Sequence, residues 1–132
     1  MLDSADHARA WMLKGDSDLL TVRHLLDTNG PYDTACFHAQ QAAEKYLKAL
    51  LALTGRPIPL IHNLEELDRA CAAIIPGWQR VGVDLAQLTT YAVQARYDLA
   101  FLPDRATVMD ALQDAEQVRV VVIVALPERA RP

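Results

Sequence analysis

The residues of this 132-residue chain that could do chemistry are an arginine on an apolar stripe, a few imidazoles, and amides and a carboxylate set into one helix. Arg96 follows Leu85 by eleven residues, a rotation of about 20° on an α-helix, so its guanidinium emerges at the end of the stripe Leu85, Leu88, Ala92. An arginine so placed needs an acceptor. Asp18 and Glu44, at inward or boundary positions of other helices, would make it a structural ion pair or dimer seam; the alternative is a guanidinium offered at the bundle's end to a phosphate or a partner carboxylate. Tyr97 beside it suits stacking on a base, or is an amphipathic packing residue. The dipeptide His62-Asn63 stands before an apolar periodic stretch, where a capped helix start with an imidazole beside it is either an anion site or a plain cap.

The second group lies within Phe37 to Leu51. At about 100° per residue, Ala35, Cys36, Ala39, Ala42, Ala43, Tyr46, Leu50 and Leu53 fall within a third of a helix's circumference and form its core face. Gln41, Lys45, Lys48 and His38 take the opposite side. Between the two faces Gln40 and Glu44 sit among Phe37 and Leu51. A polar pair bracketed by large apolar groups is partly desolvated and needs partners from another helix, a second subunit or a ligand, unless it reaches water at the core's edge.

Five helices are needed to hold these groups in place. The first starts after Asp3 or Ser4 and runs to Asp27, with the stripe Ala8, Trp11, Met12, Gly15, Leu19, Val22 and Leu26. Thr28-Asn29-Gly30-Pro31 is a stop, and a second helix covers about Asp33 to Thr54, ended by Gly55. Two prolines make Arg56 to Leu60 a crossing loop. A short third helix begins at Asn63, with Glu66 completing a capping box, and ends near Ile75. The fourth spans about Asp84 to Tyr97. The fifth starts at Asp104 or Arg105 with the stripe Val108, Leu112, Ala115, Val118 and Val122. Its valine-rich end favours β structure, but no second strand-like run exists to pair with it, so it reads as helix. The expected fold is all-α, an antiparallel up-and-down bundle of four long helices and a short one, in a single domain over 1–132 with its core at about 8–126.

A hydrophobic content of 52% with 23% charged residues is globular, and the net charge of −4 gives no overall attraction to nucleic acid or anionic membrane, so any nucleic-acid contact is local. Cys36 and Cys71 lie in alanine-rich helical pattern without metal or redox spacing and read as core thiols; neither a metal nor a cofactor is expected. The acidic start lacks a signal core, and the run Val120 to Leu126 is far below a bilayer span. These features predict a soluble, cytoplasmic protein.

Asp18-Leu19, the run Phe37-His38-Ala39-Gln40-Gln41-Ala42-Ala43-Glu44-Lys45 to Leu51, His62-Asn63-Leu64 and Ala95-Arg96-Tyr97, in this order, resemble the HEPN superfamily, small helical domains of prokaryotic operons and some eukaryotic proteins. The resemblance covers about Ala8 to Leu126. It implies a homodimeric nucleotide- or RNA-binding module, acting with a small nucleotidyltransferase partner, in which Arg96 and Lys45 supply charge, Gln40, Gln41, Asn63, His38 and His62 hydrogen bonds, and Tyr97 stacking.

Two departures modify that expectation. Asp98 stands where similar members carry proline after the Arg-Tyr pair. The superfamily's ribonuclease toxins place a histidine four to six residues after an arginine on a late helix, whereas the histidines here are His7, His24, His38 and His62, all before Arg96. A non-catalytic module is therefore the expected class. The alternatives are a metal-independent endoribonuclease of a toxin-antitoxin pair, using Arg56, His62 or His38 with Lys45 for proton transfer, and a purely structural dimerisation domain.

Overall fold

A computed structural model describes residues 1–78 and 82–132. Among the described residues the regular elements are five α-helices and a short 3₁₀ turn: α1 (Ser4–Asp27), α2 (Tyr32–Ala52), α3 (Leu64–Ile74), α4 (Leu85–Tyr97), α5 (Arg105–Ala125) and η1 (Glu128–Ala130). The all-helical bundle expected from the periodicity is the observed fold.

Side-chain oxygens set the helix starts. Asp3 and Asp6 form a reciprocal capping box on α1, which resolves the choice between Asp3 and Ser4. Asp84 and Asp104 cap α4 and α5 by accepting from the backbone N–H of Gln87 and Thr107. Asn63 accepts from the N–H of Glu66 at 3.0 Å, so the cap on α3 forms, but only this half of the expected box is made. At the end of α2 the chain tightens into i→i−3 bonds from Leu53, Thr54 and Gly55, and Gly55 takes φ +71, which stops the helix two residues before Thr54. The valine-rich end of α5 is helical through Ala125. Burial against α2 decides in favour of the helix despite the local β preference, and places Val118 and Val122 in the core.

The second helix is the centre of the molecule: α1, α5, α4 and α3 all pack on it. It runs antiparallel to α1, since Lys48 meets Trp11, Tyr46 meets Gly15 and His38 meets Asp18. The α5 helix is antiparallel to α1 in turn, joined by Arg105 to the Leu26 carbonyl and by Arg119 to Asp16. Beyond α5, η1 returns to the start of α1, where Arg129 pairs with Asp3 and Ala130 is buried. The crossing loop 53–63 carries the chain back along α2, so that His62 lies beside Gln40 and Glu44.

Inward positions follow the expected stripes with small rotations. Trp11 and Leu112 are half-buried, whereas Asp18, Ala111 and Tyr91 are buried in addition. At Gly15 the two helices approach closely, because a Cβ there would stand 2.5 Å from Cε1 of the buried Tyr46 ring.

Cys36 and Cys71 are free and fully buried. Burial, with the Asp33 and Asp104 carboxylates behind it, pushes the Cys36 thiol up to about 12; burial and Asp68 push Cys71 up to about 12 as well. Both folded-state values lie above that of a free thiol, so the folded protein holds the protons and its thiolate population stays small until strongly alkaline pH. At pH 8 neither cysteine is expected to react with a maleimide over an hour in the native protein, while both react at once in denaturant. Fast labelling of either in the native state contradicts its burial.

Candidate functional site

The polar residues of α2 are drawn into two carboxylate-centred groups. In the first, Asp18 on α1, only 6% exposed, accepts from Lys45 Nζ at 2.5 Å and meets His38 Nδ1 at 2.8 Å. His38 and Lys45, seven residues apart, share the helix face that lies against α1, and a single carboxylate bridges them. In the second, Glu44, 5% exposed, accepts from Lys48 Nζ at 3.2 Å and Gln40 Nε2 at 3.3 Å, and its Oε1 lies 3.1 Å from His62 Nδ1. Gln40 is fully buried, and its amide also donates to the His62 carbonyl at 3.2 Å. Its own oxygen accepts from Gln41 Nε2 at 2.7 Å. The desolvated pair read from the sequence thus has its partners: Lys48 and Gln41 on α2 itself, and His62 of the crossing loop, eighteen and twenty-two residues away along the chain from Glu44 and Gln40.

Lys48 departs from the outward position that its wheel angle suggests. It is 5% exposed because α1 reaches over it, with the Trp11 ring centroid 5.9 Å from Nζ. Glu44 compensates its charge across one helical turn.

Arg96 joins neither carboxylate. The α4 helix runs to the start of α2, and its last turn passes the edge of the core, so the side chain is exposed. Its Nε donates to the Ala92 carbonyl at 2.7 Å, and its guanidinium carbon lies 5.3 Å from the Phe37 ring centroid and 5.2 Å from that of Tyr97. Phe37 in turn meets the His38 ring edge-on at 5.5 Å. A line of rings and charges, Tyr97, Arg96, Phe37, His38, therefore crosses from α4 to α2 and ends on Asp18. Asn63 stands apart from this line, its side-chain oxygen engaged in the α3 cap.

Among the described residues, every buried side-chain nitrogen or oxygen has a hydrogen-bond partner. The interior of the seam is complete in itself, and capacity for a ligand lies at the rim: the Arg96 guanidinium, the Tyr97 ring, Lys45, and the Nε2 atoms of His38 and His62. The carboxylates hold both imidazoles by Nδ1, and the His62 side chain is 71% exposed. Among the described residues no three His, Cys, Asp or Glu side chains gather where they could hold a metal ion.

A third polar group lies outside the residues singled out from the sequence. The Tyr46 hydroxyl donates to Asp16 Oδ1 at 2.6 Å, and Arg119 binds both oxygens of the same carboxylate at 2.8 and 3.2 Å, joining α1, α2 and α5. Burial and the Asp16 hydrogen bond push the Tyr46 phenol well above its usual value. A buried tyrosine needs a partner for its hydroxyl, and a glycine inside an apolar helical stripe marks a close approach; together they were the available signals for this contact.

A central polar helix wrapped by four others, with a cationic and aromatic rim, defines a small all-helical module of the kind that the order of its motifs suggests. The chain belongs to the HEPN domain family, whose sequence model matches residues 8–124, and which comprises nucleotide- and RNA-related modules. Among solved structures it is similar to that of TT1696 from Thermus thermophilus, with 27% sequence identity and a TM-score of 0.71 over 90% of this chain and 98% of that one. No curated protein matches it. No helix among the described residues is long and apolar enough to cross a membrane.

Proposed function

We propose that the protein is a nucleotide- or RNA-binding module that works as a homodimer beside a small nucleotidyltransferase partner. The observation that carries this reading is Arg96: an exposed guanidinium flanked by two aromatic rings and free of any carboxylate among the described residues. A cation so placed meets a phosphate, and the adjoining Tyr97 ring offers a platform for a base. With a net charge of −4 the chain can attract a polyanion only through such a local arrangement. The homodimer has separate support. HEPN domains often dimerise, and Val93, Arg96 and Tyr97 share one face of α4 with Val93 and Tyr97 exposed, followed by exposed Leu99 and Leu102. A second copy covering these apolar groups would bring two Arg96 residues to one seam.

A second reading, endoribonuclease activity, draws on the two carboxylate-held imidazoles. Asp18 and Glu44 fix Nδ1 of His38 and His62, and each leaves Nε2 for proton transfer. One experiment addresses both. With a labelled single-stranded RNA oligonucleotide, binding is expected to weaken about tenfold in Arg96→Ala, a loss on the scale of one stacking or phosphate contact, with the melting temperature unchanged. Intact RNA after prolonged incubation removes the nuclease reading; cleavage that His62→Ala abolishes replaces the first reading with it. Failure of RNA, nucleotides and the neighbouring gene's product all to bind, with Arg96→Ala affecting only stability, defeats the binding reading.

A further inference from the structure

On the α1 side of the seam an open groove of about 470 Å³ is lined by Leu2, His7, Ala10, Trp11, Lys14 and Lys45. Its wall is apolar and aromatic with a few convergent polar groups, the chemistry of small-molecule sites. A smaller hollow of about 230 Å³ shares Leu2, His7 and Trp11 with it and extends toward Arg56. Three features make this more than a surface dimple.

The wall is an indole. Trp11 is half-buried, packs on the core and has Lys48 above its ring, so its position is set before any ligand arrives. The rim is cationic: Lys14 is exposed and, like the His7 side chain, makes no hydrogen bond or ion pair with the described residues, which leaves both free for a ligand. Lys45 is the third basic group, aligned by Asp18. Finally, the carboxylates nearby are committed: Asp18 to His38 and Lys45, and Asp3 to the α1 cap and Arg129. An anion settling in the groove therefore meets available donors, and neither of these two carboxylates is unpaired.

We infer that this groove is a site for a mononucleotide, its base against Trp11 and its phosphate between Lys14 and Lys45 with His7 beside it. The inference rests on the nucleotide-binding reading above and deepens it, since it places the base and phosphate on α1 and α2. The Arg96 face of α4 is then left for a polymer or a second subunit.

Calorimetric titration of the whole chain at low salt tests the assignment with AMP, adenosine and inorganic phosphate as probes. AMP binds, and adenosine and phosphate each bind at least tenfold more weakly, because each lacks half of the contacts. Lys14→Glu, on an exposed position that folding tolerates, and Trp11→Leu each raise the AMP Kd at least tenfold. Arg23→Glu, which makes the same charge change on the α5 side of α1, leaves it within twofold and excludes a general charge effect. Phosphate binding as tightly as AMP overturns the role of Trp11. AMP binding that Arg96→Ala abolishes and Lys14→Glu leaves intact overturns this site while the nucleotide-binding reading stands, as does RNA binding without AMP binding. No binding of any nucleotide or RNA removes both.

Discussion

Glu44→Ala is expected to cost about 3–5 kcal/mol of stability, the range found when one member of a buried ion pair is deleted. Three donors converge on this carboxylate: the Lys48 ammonium, the Gln40 amide and the His62 ring. Without it, Lys48 remains almost fully buried beside the Trp11 indole with no carboxylate partner among the described residues, and the Gln40 NH₂ group keeps only the His62 carbonyl. Glu44→Gln preserves the shape and one acceptor, so its loss is expected to be smaller, about 1–3 kcal/mol. Replacing both partners, Glu44→Leu with Lys48→Met, is expected to cost less than Glu44→Ala alone, because no uncompensated charge is left inside. Urea denaturation of the four proteins measures this order. A loss under about 1 kcal/mol for Glu44→Ala would mean that Lys48 reaches water and that the seam is not closed.

The second large effect comes from a single methyl group. Gly15→Ala places a Cβ 2.5 Å from Cε1 and 2.8 Å from Cδ1 of Tyr46, well inside van der Waals contact. The ring has little freedom to retreat. It is fully buried, and its hydroxyl is tied to Asp16, which Arg119 holds by two further bonds. Overpacking of this kind costs about 1–3 kcal/mol, and swinging the ring aside adds the loss of the Tyr46 to Asp16 bond at roughly 1 kcal/mol. Alanine's better helix propensity returns about 1 kcal/mol. A net loss of about 2 kcal/mol is expected from these terms. Gly82→Ala, where nothing lies within 4 Å of the added Cβ, is expected to stay within about 0.5 kcal/mol of wild type. Equal stability for the two alanine variants would show that α1 and α2 are farther apart than described.

Much of this fold was legible in the sequence because helices are local. Apolar period, aspartate and asparagine caps and the proline pair at 57 and 59 depend on near neighbours, and they located the helices to within a few residues. The valine run of α5 was a conflict between local and global preference, and the missing partner strand decided it correctly. The partners of the polar residues were not legible in the same way. A helical wheel says which side of α2 bears Lys48, but it cannot say that Trp11 of another helix covers that side. Glu44 looked like an acceptor for Arg96, a pairing that requires α4 to continue along the core; its last turn instead clears the edge, and a loop histidine eighteen residues from Glu44 takes the place. Asp16 and Arg119 are 103 residues apart, beyond the reach of any periodic argument. In the groove beside Trp11, each residue has a packing or solvent role alone, and only their convergence supports the proposed site.

The central position of α2 has a consequence for how recognition could diversify in this protein. Gln40, Glu44 and Lys48 hold the molecule together, so changes there tax foldability before they alter any preference for a ligand. Lys14, Arg96 and Tyr97 stand on the outer helices, where substitution costs little stability. Affinity can therefore be retuned at the periphery while the frame stays constant, a separation that lets one bundle explore new ligands without first surviving a loss of structure.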